Sequence, residues 1–177
     1  CRVWNPKKGT CRHVFREEGG KGYFAEGSLT CLDVSGGVNK EDSGANLGLV
    51  GCEDGTAWIV HLVNKKILSC LHHYDKSSSS STNNDTNMEE DTAPRSIEAV
   101  GFSKSHPHWC ATGGADGLVK VWDMNGNNQC RQTCNHRSLA DGEADNGDSA
   151  AGVTRLKWHP TKPYIYTTTS DGMVCVW

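Results

Sequence analysis

The side chains in this 177-residue chain that could do chemistry are nine cysteines, eight histidines and 21 carboxylates. Metal binding is the first chemistry to weigh, because Cys130, Cys134 and His136 fall close together. On a strand Cys130 and Cys134 share a face, yet at ~3.3 Å per residue they stand ~13 Å apart, too far to grip one ion at ~2.3 Å. No Cys-x-x-Cys pair occurs either, so no metal site is expected. Nucleophilic catalysis finds no Gly-x-Ser-x-Gly elbow, and His106, His108 and His159 sit in turn contexts such as His106-Pro107 and Trp158-His159-Pro160. Gly113, Gly114 and Gly117 belong to a hairpin pattern rather than a strand-to-helix junction, which argues against a phosphate loop. The reading is therefore of a protein that is not an enzyme and has no cofactor, with the carboxylates as the group whose arrangement carries information.

Those carboxylates cluster. Asp75, Asp85, Glu89, Glu90 and Asp91 against Lys76 give residues 75–94 a charge of −4, and Asp141, Glu143, Asp145 and Asp148 against Arg137 give residues 137–151 a charge of −3. With Glu41 and Asp42 against Lys40, the three stretches hold −8, so a chain whose net charge is −3 has a body at +5. The run from Lys76 to Asp85 has almost nothing to bury, and both 75–94 and 137–151 are expected to be disordered acidic loops. Concentrated negative charge attracts a cationic segment and speeds its capture. Asp85, Glu89, Glu90, Asp91, Asp141, Glu143, Asp145 and Asp148 are thus the candidate partner-binding surface, with Glu53 beneath it.

A net charge of −3 does not suggest a whole-domain nucleic-acid binder, and no apolar run approaches the ~20 residues that cross a bilayer. The opening residues Cys1-Arg2-Val3-Trp4-Asn5 have no basic and apolar leader pattern. Cys31, Cys52, Cys70, Cys110 and Cys175 each sit inside a short apolar run, as small buried thiols do in reducing compartments. The expected location is cytoplasmic, with the nucleus as the other reducing compartment open to it.

The elements that must position these groups are repeated. Three segments align on Asp-Gly: Gly51 to Val60 on Asp54-Gly55, Gly113 to Trp122 on Asp116-Gly117, and Thr168 to Trp177 on Asp171-Gly172. Asp-Gly provides the positive φ of a tight hairpin, and the flanks are β-branched, aromatic or small. An apolar run precedes each pair (Leu29 to Val34, Ile97 to Phe102, Val153 to Trp158), and a fourth follows the first two (Ile67 to Leu71, Gln129 to Cys134). Val3-Trp4 and Thr10 to Phe15 read as the last two strands of one more unit. The spacing predicts four-stranded units over 27–71 and 96–134, the end of a unit over 1–16 and an incomplete unit over 152–177. Trp4, Val60, Trp122 and Trp177 end the third strands at intervals of 56, 62 and 55, longer than the ~40–45 residues of a bare unit, with the surplus in the loops.

Repeats that close with Val121-Trp122-Asp123 and Val176-Trp177 resemble the WD-repeat β-propeller family. The resemblance implies an all-β fold of four-stranded blades around a channel, here about three blades and the outer half of one before them, a segment of a larger propeller. It further implies a chain of hydrogen bonds in each blade from a His, a hydroxyl residue, an Asp and the Trp. Carried over, the last repeat has His136, Thr169, Asp171 and Trp177. The middle one has Asp116 and Trp122, His72 or His73, but Gly114 at the expected hydroxyl position; the first has Asp54 with Cys52 and Val60 and no His. Trp4 takes the Trp position of the leading half-blade.

The order of Arg2 to Asn5, Gly27 to Cys31, the serine- and acid-rich insert, Ser96 to Phe102, Gly113 to Trp122 and Cys130 to His136 resembles the angio-associated migratory cell protein family. That family includes a fungal ribosome-assembly chaperone which captures a basic large-subunit ribosomal protein through the acidic face of its propeller. The resemblance implies a non-catalytic scaffold whose partner is a protein, with no membrane, direct nucleic-acid or small-molecule ligand. The alternative is a generic interaction platform in signalling or ubiquitin-ligase substrate recruitment. Ligase receptors often place an Arg two positions after Trp-Asp, where this chain has Met124-Asn125 after Asp123.

Overall fold

The structure, a computed structural model, describes residues 1–15, 24, 27–36, 46–74, 95–136 and 151–177. Among these, thirteen strands form four antiparallel sheets and there is no α-helix. β1 (Arg2–Asn5) pairs with β2 (Thr10–Val14). The next four, β3 (Leu29–Val34), β4 (Leu47–Cys52), β5 (Thr56–His61) and β6 (Lys66–His72), pair in chain order. So do β7 (Ile97–Phe102), β8 (Trp109–Gly114), β9 (Leu118–Asp123) and β10 (Gln129–Asn135), and then β11 (Val153–Trp158), β12 (Ile165–Thr169) and β13 (Val174–Val176). Each sheet is a blade, and the blades form an open arc of propeller rather than a closed ring.

The core lies between blades. Leu49, Ala57, Ile59 and Leu71 of the first full blade pack against Ile97, Val100, Phe102, Cys110 and Trp122 of the second. Ala111 and Val121 of the second pack in turn against Trp158 and Ile165 of the third. A blade sandwiched this way is apolar on both faces, which is why β8 and β9 read as near-continuous apolar runs. Their residues from Cys110 to Gly114 and from Val119 to Trp122 are all buried. The outer strand β10 has only Cys134 buried, because its far side meets water.

The first strands of successive blades, β3, β7 and β11, pack beside one another at the hub. One peptide group of β7 joins all three. The Phe102 N–H donates to Asp33 Oδ2 of β3 at 2.8 Å, and the Gly101 C=O accepts from Trp158 Nε1 of β11 at 3.0 Å. At the other end of β7 the Ile97 C=O accepts the Thr30 hydroxyl of β3. An inner strand at a hub would otherwise present open N–H and C=O groups, and side chains of the adjacent blades close them here. Blade spacing is set partly by Gly113, where a β-carbon would stand 2.6 Å from Val153 of the next blade.

Candidate functional site

The three Asp-Gly pairs form the b-to-c turns of the blades, all by one construction. Gly55 N–H reaches the Cys52 C=O at 3.3 Å, and Gly117 and Gly172 likewise reach Gly114 and Thr169 at 3.1 Å. The positive φ falls on the glycines alone, +77° at Gly55, +78° at Gly117 and +88° at Gly172, so the aspartates keep ordinary backbone. This is a three-residue loop closed by a left-handed glycine, not the two-residue turn with positive φ at both positions. Each Asp instead accepts the N–H two residues on: Thr56 at 3.0 Å, Leu118 at 3.0 Å and Met173 at 3.2 Å. The turn asks for Asp, and the side chain is positioned by it.

From these turns the His–hydroxyl–Trp chains run into the blades, and they correct the sequence reading. In the middle blade Trp122 Nε1 donates to Thr112 Oγ1 at 2.9 Å, Thr112 Oγ1 lies 2.8 Å from His73 Nδ1, and His73 Nε2 lies 3.4 Å from Asp116 Oδ1. A hydroxyl that accepts from the indole has its own proton to give, so Nδ1 accepts and Nε2 carries the proton toward Asp116. The blade expected to be defective therefore has its Trp–Thr–His hydrogen bonds, with His73, and not the exposed His72, as its imidazole, while His73 Nε2 approaches Asp116 without a hydrogen bond. Gly114 is no lost hydroxyl: a β-carbon there would come within 2.4 Å of Asp116 Oδ1 and 2.8 Å of His73 Nε2. Its absence leaves room for the His–Asp contact.

The last blade differs in the same terms. Trp177 Nε1 donates to Thr167 Oγ1 at 2.9 Å, and Thr167 Oγ1 lies 3.0 Å from His136 Nε2. Thr167, not Thr169, is the hydroxyl of the chain. Thr169 occupies the position of Gly114, and its hydroxyl binds the Asp171 carboxylate. His136 Nδ1 lies 3.3 Å from Cys175 Sγ. Burial holds the His136 imidazole below its ordinary pKa, only partly opposed by the Asp171 charge. The Thr169 hydroxyl and the Met173 N–H hold Asp171 below the usual carboxylate range. For Asp116, burial pushes upward, and the His73 contact with the Leu118 N–H outweighs it, leaving the pKa lowered.

The first full blade has Val50 and Val60 where the others have Thr and Trp, so Val50 rather than Cys52 occupies the hydroxyl position. It uses a short substitute on one strand, with Trp58 Nε1 donating to Thr56 Oγ1 at 3.0 Å and that hydroxyl donating to Asp54 Oδ1 at 2.6 Å. Trp4 lies on β1, which pairs with β2, and is 53% exposed.

Cys134 is buried in the core and Cys130 is exposed, while His136 is committed to Thr167. Among the described residues no group of His, Cys, Asp or Glu gathers that could hold a metal ion.

Of the candidate partner-binding residues, Glu53 alone is described. Its backbone N–H donates to the Ser28 C=O at 2.9 Å and its Oε2 accepts the Ser28 N–H at 3.1 Å, so it ties the start of β3 to the turn. Asp85, Glu89, Glu90, Asp91, Asp141, Glu143, Asp145 and Asp148 lie outside the described residues. The points from which their segments leave the blades are described, and both sit at the turns. His73 N–H donates to the Gly55 C=O at 3.1 Å, and a β-carbon on Gly55 would stand 2.9 Å from Tyr74 and 3.0 Å from the Arg95 carbonyl oxygen. The two anchors of residues 75–94 thus flank Gly55. His136 N–H donates to the Gly117 C=O at 3.3 Å, while Gly152 approaches Ala115 and its carbonyl accepts the Ser170 N–H at 2.9 Å. The anchors of the second acidic segment flank the next turn in the same way.

The WD domain, G-beta repeat family matches residues 91–123 and 145–177. Over 99% of its length the chain is 27% identical to the human angio-associated migratory cell protein, of which it spans 34%. Over 78 residues, 41% of the chain, it is 37% identical to the GATOR2 complex protein WDR24 of Xenopus laevis, covering 8% of that protein. Among solved structures, the computationally designed Ika4 protein superposes with a TM-score of 0.58 at 22% identity, covering 99% of this chain and 77% of that one. The chain spans about a third of the length of the curated relatives it matches along its whole extent.

Proposed function

From a chain that carries WD repeats in an open arc of β-propeller, a fold whose repeats serve as protein-interaction scaffolds, we propose a non-catalytic scaffold that captures a cationic segment of a partner protein on the turn face of its blades. The observation that carries this reading is the placement of the insert anchors. Tyr74, Arg95, His136 and Gly152 bring both acidic segments out beside the turns that hold Asp54, Asp116 and Asp171. Acidic charge contributed by two segments and three turns to one face raises the local concentration of a cationic partner and its rate of capture. The partner is a basic large-subunit ribosomal protein and the protein its escort during ribosome assembly. That choice rests on the family resemblance of the motif order from Arg2 to His136. The setting is the cytosol or the nucleus. The nine cysteines, none in a disulfide, with Cys52, Cys110 and Cys134 buried, support a reducing compartment.

Affinity capture with the full-length protein, followed by identification of what co-purifies, tests the partner. Ribosomal proteins that elute with added salt are the expected result. A second reading, membership of a larger signalling complex, draws on the 37% identity with a protein named as a GATOR2 complex component. Stable complex subunits in place of ribosomal proteins would favour it.

A further inference from the structure

We propose a second binding site, at the opposite end of the inner strands from the acidic segments, that takes an extended acidic peptide segment of a partner protein. The turns sit at the starts of β3, β7 and β11, beside Ser28, Ser96 and Gly152. At the far ends of the same strands lies a groove of about 560 Å3 running across all three blades. That volume is within the ~300–1,000 Å3 of ordinary ligand sites. Its accessible apolar lining is Leu32 and half-buried Leu156, beside buried Val100 and Phe102, and its rim carries Lys104, Arg155 and Lys157. Lys104 reaches back across the mouth past the end of β3, where a β-carbon on Gly36 would stand 3.4 Å from its Nζ.

Among the described residues no carboxylate pairs with these cations. Among the described residues the ion pairs are His73 with Asp116 and Arg131 with Asp123, and neither involves the three rim cations. Asp33 is the one carboxylate lining the groove, and it is engaged with the Phe102 N–H. Arg155 and Lys157 are exposed and two residues apart on β11, which puts them on one side ~6.6 Å from each other. Alternate side chains of an extended peptide repeat at the same distance. Carboxylates at alternate positions can therefore meet both cations, while the other row of side chains settles on the apolar lining.

A nucleic-acid strand suits the groove less well. Its phosphates would meet the Asp33 carboxylate, and the nearby rings of Phe102 and Trp158 are buried and offer no face for stacking a base. The described lining residues include none from the acidic segments, so this site stands or falls apart from the cationic-partner reading.

The test is fluorescence anisotropy of the full-length protein with a labelled peptide of alternating Glu and Leu, against a Lys and Leu peptide of the same length and an oligouridine competitor. Saturable binding of the Glu peptide is expected, weakened about tenfold or more by the pair Arg155→Glu and Lys157→Glu, which leaves any binding of the Lys peptide at the acidic face undiminished. Thermal melting checks that the variant folds. If it does not, the milder pair Arg155→Gln and Lys157→Gln decides, with a smaller loss expected. Unchanged affinity in whichever pair folds, no saturable binding of the Glu peptide, or tighter binding of the oligouridine would each overturn the proposal.

Discussion

At the scale of single residues, the blade hydroxyls show what the sequence carries and what it hides. Trp122 stands opposite Cys110, and its indole reaches the diagonal neighbour Thr112. Trp177 stands opposite Ile165 and reaches Thr167 by the same step. On a strand, residues two apart share a face, so Thr167 and Thr169, or Thr112 and Gly114, cannot be separated by pattern; only the register against the Trp decides. Replacing Thr112 by Val would leave the buried Trp122 and His73 groups without their partner, and denaturant unfolding should show a loss of about 2–3 kcal/mol. Thr169→Val should cost less, because Asp171 keeps the Met173 N–H. His136 gives a pH signature. Burial depresses its folded pKa below the unfolded value near 6.5, so protons bind preferentially to the unfolded chain. Its stabilisation is complete above about pH 6.5 and drains as pH falls toward the folded value, where Asp116 and Asp171, both also depressed, have yet to lose theirs. Denaturant midpoints measured between neutral and mildly acid pH should fall, and His136→Asn should flatten that slope. A thiol probe adds a third check. Burial pushes the Cys110 thiol up to about 12, so it should stay unlabelled until the blade opens, while exposed Cys11 and Cys130 react at once.

At the scale of elements, the strands were legible because each carries apolar alternation or a buried run and each turn is marked by Asp-Gly. The register that pairs β8 with β9 follows from the turn between them, and the four-stranded order of the two complete blades follows from the runs on either side. The hub latch was not legible. Asp33 and Trp158 meet one peptide group of β7 from two other blades, and nothing in either local sequence announces a contact 69 or 57 residues away. Gly114 carried a misleading sign, since its value is space for His73 and Asp116 rather than a lost hydroxyl. The blades should differ in strength accordingly. The middle one has Trp–Thr–His hydrogen bonds within it and apolar neighbours on both sides, whereas its outer strand β10 has only Cys134 buried. Native-state amide exchange should find β8 and β9 slower than the outer strand β10. Equal protection in all blades would show that the packing between blades, not the chains within them, sets stability.

At the scale of the whole molecule, a near-neutral charge conceals two unlike ends of one arc. Acidic segments leave the blades beside Asp54, Asp116 and Asp171, and the opposite ends of the inner strands gather Lys104, Arg155 and Lys157. The acidic candidates were visible in composition alone, and the described anchors of their segments lie beside Gly55 and Gly117. The measurement that tests this account most directly is the affinity of the full-length protein for a Lys- and Arg-rich segment of its captured partner, followed from low to high salt. The ionic strength range should bracket the point where screening reaches ~10 Å. The same titration is then run with Asp85, Glu89, Glu90, Asp91, Asp141, Glu143, Asp145 and Asp148 neutralised to Asn or Gln. The account predicts an affinity that falls steeply with salt and an association rate about tenfold or more slower in the neutralised protein. Binding indifferent to both salt and those charges would contradict it.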